Sequence, residues 1–266
     1  MIIIGEKINA SIPKSRAAIG AQDANFLKEL AKSQVEAGAD YIDINVGTGK
    51  NEPEIMKWAV KEVESAIEAP LAIDTVDEAV LAAGLEAVKH PETSIINSIS
   101  AEGDRLKRFL PYVKQHNTKV VALAVGKGGV PKDADTRIKN CAFIINECEK
   151  AGIPAENIMF DPLVIPQSTD QAQVPVTLET MRRIKQEFPK SKICLGLSNV
   201  SFGLPLRRLV NTTFGMLAIA CNADALILDP LDKKLMSAIR SAEMLMGRDR
   251  FCKSYIKAFK AEQLVY

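Results

Sequence analysis

The chain has 266 residues, 47% of them hydrophobic and 25% charged, with 34 Lys and Arg against 33 Asp and Glu for a formal charge of +1. These fractions exclude disordered, collagen-like and low-complexity chains, and the near-neutral balance speaks against nucleic acid as a partner. A chain this long buries roughly three quarters of its unfolded surface and needs no disulfides to hold a core. The N-terminal Ile2, Ile3 and Ile4 have no basic segment ahead of them, so no secretory signal is predicted. No stretch approaches the ~18 uninterrupted apolar residues of a membrane span. The five cysteines (Cys141, Cys148, Cys194, Cys221 and Cys252) form no CxxC pair. They are expected to be free thiols of a cytoplasmic protein.

Eight short apolar or β-branched runs follow one another along the chain, at residues 2–9, 41–47, 71–75, 94–100, 120–126, 158–163, 193–199 and 223–230. Their starts lie on average about 32 residues apart, the length of a strand plus a helix. Most are continuously apolar, as strands of a parallel sheet covered on both faces should be. Between them the period becomes helical: Leu27, Ala31 and Val35 repeat every four residues. Leu235, Ile239, Ala242 and Met246 keep one face behind Asp232, a predicted N-cap. Gly38 and Gly152 stand where helices should stop. With no linker in the chain, the pattern predicts one (β/α)8 barrel of the TIM type spanning 1–266, ahead of a doubly wound sheet. Residues 249–266 are expected to form an extra helix with Lys253, Lys257 and Lys260 along it.

Chemistry in such a barrel lies at the carboxyl ends of the strands. There the sequence places Glu6, Asn9, Asp43, Asn45, Asp74, Asn97, Asp161, Ser198, Asn199 and Asp229. His90 and His116, the only histidines, fall away from the strand ends, which disfavours a histidine-based metal site, a Ser-His-Asp triad and a histidine acid–base. The Gly126-Lys127-Gly128-Gly129 run matches no nucleotide fingerprint and reads as an active-site loop or a phosphate nest. Lys7 and Lys127 are the only lysines near strand ends that suit a Schiff base. The ring of carboxylates and amides has three readings on residue type alone. It caps the following helices, coordinates a hard divalent cation, or binds a flat heterocycle rich in N–H donors.

Several strings carry a resemblance. They are Ile3-Ile4-Gly5-Glu6-Lys7-Ile8-Asn9, Asp43-Ile44-Asn45-Val46-Gly47, Ile73-Asp74-Thr75, Ile96-Asn97-Ser98, Phe160-Asp161-Pro162-Leu163 and Gly196-Leu197-Ser198-Asn199-Val200-Ser201. In that order they resemble the pterin-binding barrels. That family includes dihydropteroate synthase, the folate domain of cobalamin-dependent methionine synthase and the methyltetrahydrofolate:corrinoid protein methyltransferases. The last group is the most similar, and its likeness extends through residues 129–137 and 207–214. The resemblance implies that Asp74, Asn97 and Asp161 bind the pterin ring, Asp161 accepting a paired hydrogen bond. Gly196 and Ser198 would contact the ring, Ile227 would form an apolar wall, and Arg207 would touch the folate. Asn199 falls near N5, where methyl is gained or lost, and is the implied catalytic residue, acting with ordered water. Phe202 stands where relatives carry more polar residues.

The implied activity moves a methyl group between N5 of tetrahydrofolate and the cobalt of a corrinoid. The chain has no DxHxxG cobalamin motif, so a separate corrinoid protein is the expected partner, with no bound metal, no membrane and a homodimeric state. The alternatives are a pteroate-synthase-like condensation enzyme, whose diphosphate and p-aminobenzoate signatures are not matched, and a non-catalytic pterin-binding protein.

Overall fold

The computed structural model describes residues 1–265. Eight strands and ten α-helices follow in the order β1 (Ile2–Asn9), α1 (Pro13–Gly20), α2 (Ala24–Glu36), β2 (Tyr41–Asn45), α3 (Glu52–Glu64), β3 (Leu71–Asp74), α4 (Glu78–Ala87), β4 (Ile95–Ser100), α5 (Arg105–His116), β5 (Lys119–Leu123), α6 (Ala134–Lys150), β6 (Ile158–Asp161), α7 (Gln173–Glu187), β7 (Lys192–Gly196), α8 (Arg207–Ala220), β8 (Ala225–Leu228), α9 (Lys233–Leu245) and α10 (Lys253–Lys260). All strand pairs are parallel, and β8 closes on β1 to complete a barrel in sequence order. The predicted (β/α)8 architecture is therefore the observed one.

Strand alternation explains how the apolar runs serve two cores. Ile4, Ala72, Ile95, Val121, Met159, Cys194 and Ala225 point inward and fill the barrel. Their neighbours, such as Ile42, Ile73, Ile96, Phe160, Leu195 and Leu226, point outward and pack beneath the helices. Both faces are buried, which is why the runs show no polar alternation. Because successive side chains change face, the residue two positions beyond each inner side chain also points inward, one layer nearer the mouth. That position is Glu6 after Ile4, Asp74 after Ala72, Asn97 after Ile95, Asp161 after Met159, Gly196 after Cys194 and Ile227 after Ala225. On β1, β3, β4 and β6 that position is polar, whereas β5 offers Leu123 after Val121 and β8 offers Ile227, so a partial ring of polar groups sits directly on the apolar plug.

Local chemistry accounts for the helices. Asp23, Asp77, Asp133 and Asp232 accept from backbone N–H groups of the first turns of α2, α4, α6 and α9. Capping is therefore done by loop aspartates, Asp232 among them as predicted, and not by Asp74 or Asp161 at the strand ends. Gly38 and Gly152 adopt φ of 106° and 80° after α2 and α6, the left-handed stop that glycine allows. The short α1 is additional to the predicted elements.

Several strands stop earlier than predicted, since the chain leaves the ladder at the polar residue. Ser198 and Asn199 lie on a 3-10 turn at Leu197–Ser201, beyond the end of β7. The predicted last helix is confined to α10, preceded by a 3-10 turn at Arg250–Cys252. Tyr266, which that prediction included, lies outside the described residues. Among the described residues no helix is long and apolar enough to cross a membrane.

Candidate active site at the barrel mouth

The strand-end residues form two groups. On one side of the mouth, β2, β3 and β4 supply Asp43, Asn45, Asp74 and Asn97. Asn97 donates through Nδ2 to Asp43 Oδ1 at 3.0 Å, which leaves its own carbonyl oxygen as an acceptor. Asn45 donates through Nδ2 to Asp74 Oδ2, also at 3.0 Å. Asp74 and Asn97 are register partners on adjacent strands. Asp43 is 2% exposed, and burial, reinforced by the Asp74 charge, pushes its carboxyl well above the usual range. Burial also raises Asp74, opposed by hydrogen bonds from Asn45 and Asp43. Both carboxyls are thus held above their usual range by burial, and the pair retains a proton more readily than two exposed carboxyls would.

The second group joins β6, β7 and β8. Asp161 Oδ1 accepts from Leu163 N at 2.8 Å, and the Gly196 N–H also supports the carboxylate. Burial nonetheless raises Asp161 to about 6, despite those N–H groups and the Arg137 charge. Gly196 pairs in register with Ile227. A Cβ at position 196 would lie 3.0 Å from Asn199 Nδ2, so glycine leaves the room that the Asn199 amide occupies. Asp161, Gly196, Asn199 and Ile227 therefore form one corner of the mouth.

Beside that corner, Ser198 Oγ donates to Glu6 Oε1 at 2.6 Å, and Lys7 Nζ pairs with Asp229 at 2.9 Å. Burial above all, with a smaller contribution from Asp229, pushes Glu6 up to about 7. Arg207, expected at the folate, uses two donors within the protein: Nη2 to Ser198 O and Nε to Ser201 Oγ, each at 3.0 Å. Its guanidinium also stacks 4.3 Å from the Phe202 ring centroid. Arg207 thereby clamps the turn that carries Ser198 and Asn199. A cavity of about 500 Å³ opens here, and Glu6, Lys7, Asn199, Phe202, Arg207 and Asp229 all contribute to its wall. Asp74, Asn97 and Asp161 lie outside that lining, on β3, β4 and β6.

The arrangement suits a flat polar ring better than the other readings. Acceptors on opposite sides of the mouth meet a ligand bearing N–H groups along its edges, and apolar Ile227 offers a face. Among the described residues no group of three or more His, Cys, Asp or Glu is disposed around a common metal position. Lys7 is engaged by Asp229, which occupies the amine a Schiff base needs. Asp43, Asn45, Glu6 and Asp229 were visible among the strand-end residues but carried no assigned role. Strand alternation was the available signal: Glu6 lies two residues beyond Ile4, Asp43 is level with Ala72, Asn45 lies two beyond Asp43, and Asp229 lies four beyond Ala225.

The profile described as "Pterin binding enzyme" matches residues 7–229. The chain is 35% identical over 263 residues to a methylcorrinoid:tetrahydrofolate methyltransferase from Eubacterium limosum, covering 98% of this chain and 96% of that protein. It is 30% identical over 228 residues to methionine synthase of Mycobacterium tuberculosis, covering 80% of this chain and 19% of that much longer protein. Among solved structures, 7,8-dihydropteroate synthase from Vibrio fischeri superposes with a TM-score of 0.70 at 16% identity, over 93% of each chain, a likeness of fold. On the profile match and the full-length relationship together, the chain belongs to the pterin-binding enzyme family.

Proposed function

We propose that this chain, taken as one pterin-binding domain over 1–266, transfers a methyl group between N5 of tetrahydrofolate and a corrinoid held by a separate protein. The observation that carries the reading is the 35% identity to the Eubacterium limosum methyltransferase across nearly the whole of both chains. The mouth supports it. Asp74 and Asn97 bind one edge of the pterin and Asp161 the other, with Gly196 and Ser198 beneath the ring and Ile227 against its face. The corrinoid, when docked, supplies the cobalt that gives or takes the methyl group.

The remaining work falls to this chain. A methyl on N5 leaves poorly unless N5 is protonated or strongly hydrogen-bonded as the bond breaks. Asn199 stands exposed on the turn clamped by Arg207, where its amide reaches a ring seated between the two acceptor groups. A preorganised amide favours the transfer transition state without being reoriented during the reaction. Rigid placement of the pterin contributes further, since both reactants must approach along one line.

We also infer a cytoplasmic homodimer. Five unpaired cysteines suit a reducing compartment. The outward face of α8 carries Leu209, Met216 and Leu217, which are 63%, 41% and 44% exposed and share a helix face. Such an apolar stripe fits a self-complementary contact.

The test is a titration with tetrahydrofolate and methyltetrahydrofolate, followed by mixing with methyl-loaded corrinoid protein while the cobalt spectrum is recorded. Folate-dependent loss of the methyl-cobalt band is expected. Absence of folate binding defeats the pterin reading, and binding without turnover by any corrinoid protein defeats the catalytic one.

A further inference from the structure

Arg137, in the first turn of α6, is the largest fully buried side chain among the described residues, at 0% exposure. Burying a guanidinium is costly unless every donor is used. Among the described residues it makes no ion pair, and its donors go to loop oxygens instead. Nη1 reaches Pro162 O at 2.7 Å, Leu163 O at 3.0 Å and Thr177 Oγ1 at 3.1 Å. Nε and Nη2 reach Pro131 O at 3.2 Å, and Nη2 also reaches Gln173 Oε1 at 2.5 Å. One side chain thus ties the loop after β5 and the loop after β6 to α7.

Asp161 is the last residue of β6, and the loop that follows begins at Pro162. Leu163 has φ of 69°, a left-handed conformation uncommon for a residue with a side chain. Its carbonyl is gripped from two sides, by Arg137 and by Thr177 Oγ1 at 2.7 Å. In that conformation its N–H turns back to Asp161 Oδ1 at 2.8 Å. The chain of contacts runs from guanidinium to carbonyl, across a single residue, to the carboxylate.

We propose that Arg137 is a positioning residue for Asp161: by fixing the Pro162 and Leu163 carbonyls it holds the left-handed turn whose N–H orients the carboxylate toward the pterin edge. This rests on the reading that Asp161 binds the pterin. The Arg137 charge acts in the same sense, opposing the burial that raises Asp161. A hydrophobic residue of similar size would fill the site but leave the Pro162 carbonyl without its donor and the Leu163 carbonyl held by Thr177 alone.

The experiment compares Arg137→Lys and Thr177→Val with the unmodified chain, each also in an Asp161→Ala background. The readouts are tetrahydrofolate affinity, kcat, KM for folate and thermal midpoint. Thr177→Val removes one grip on Leu163 with little change of volume, and stands alone if Arg137→Lys does not fold. In the unmodified background, folate Kd and KM should rise roughly tenfold for Arg137→Lys and about threefold for Thr177→Val, with kcat within about twofold. In the Asp161→Ala background neither change should weaken folate binding further, because the group they orient is gone. Unaltered folate affinity in both folded variants, or an equal loss in the two backgrounds, overturns the proposal. If the unmodified chain binds no folate, the functional reading itself fails before any variant is compared.

Discussion

Replacing Glu6 by Gln tests whether the mouth of this barrel is built at the expense of stability. Glu6 is held in a half-buried position against Ser198, with Asp229 nearby, and its carboxyl is displaced from 4.5 to about 7. The folded chain therefore keeps a proton that the unfolded chain releases near 4.5, so stability falls as pH rises from 4.5 to 7. The penalty is complete above 7 and absent below 4.5. That displacement corresponds to about 3 kcal/mol at pH 8, and residual hydration at the open mouth lowers the expected value to about 2 kcal/mol. Gln keeps the shape and can still accept from Ser198 Oγ, but never ionises. Thermal unfolding of Glu6→Gln should therefore show a midpoint higher by roughly 5 °C at pH 8, with the gain vanishing near pH 4.5. An equal midpoint at pH 8, or a gain of the same size at both pH values, refutes burial as the origin of the displaced carboxyl.

The remaining expectations concern ligand and assembly. Asn199→Ala should lower kcat by about 100-fold while weakening folate binding only a few-fold, because its hydrogen bond is made mainly in the transition state; single-turnover transfer alongside equilibrium titration separates the two. Asp161 must be ionised to accept from the pterin, so folate affinity should fall as pH drops through about 6. An Asp161→Ala chain should bind weakly at every pH, and a profile unchanged by that substitution counts against the assignment. Met216→Glu places a charge in the exposed stripe of α8 and should give a folded monomer by sedimentation; a dimer that survives it points to another interface.

How much of this was legible in the sequence is clearest at particular residues. The rule of two along a strand places Glu6 above Ile4, Asp74 above Ala72, Asn97 above Ile95 and Asp161 above Met159. One strand at a time, it is enough to predict a polar ring at one end of a parallel barrel. The absence of polar alternation in the strands predicts a parallel sheet covered on both faces, and eight strand–helix units without a linker favour the closed barrel over a doubly wound sheet. Loop geometry was less accessible. Ser198 and Asn199 were read as part of a strand, whereas the chain turns after Gly196 into a 3-10 segment. Arg207 was expected at the folate, and two of its donors are spent on the turn beside Asn199.

Local periodicity and residue type thus determined the strands, their inner and outer faces and the polar character of the mouth, because those depend on the near-neighbour geometry of an extended chain. Only the closed barrel decided which of those polar groups touch. Asn97 meets Asp43 across 54 residues, Ser198 meets Glu6 across 192, and Lys7 meets Asp229 across 222. The displaced carboxyls of Glu6, Asp43 and Asp161 follow from that closure. Desolvation and mutual repulsion depend on which charges share a small volume, a property of the three-dimensional arrangement that no single stretch of chain contains.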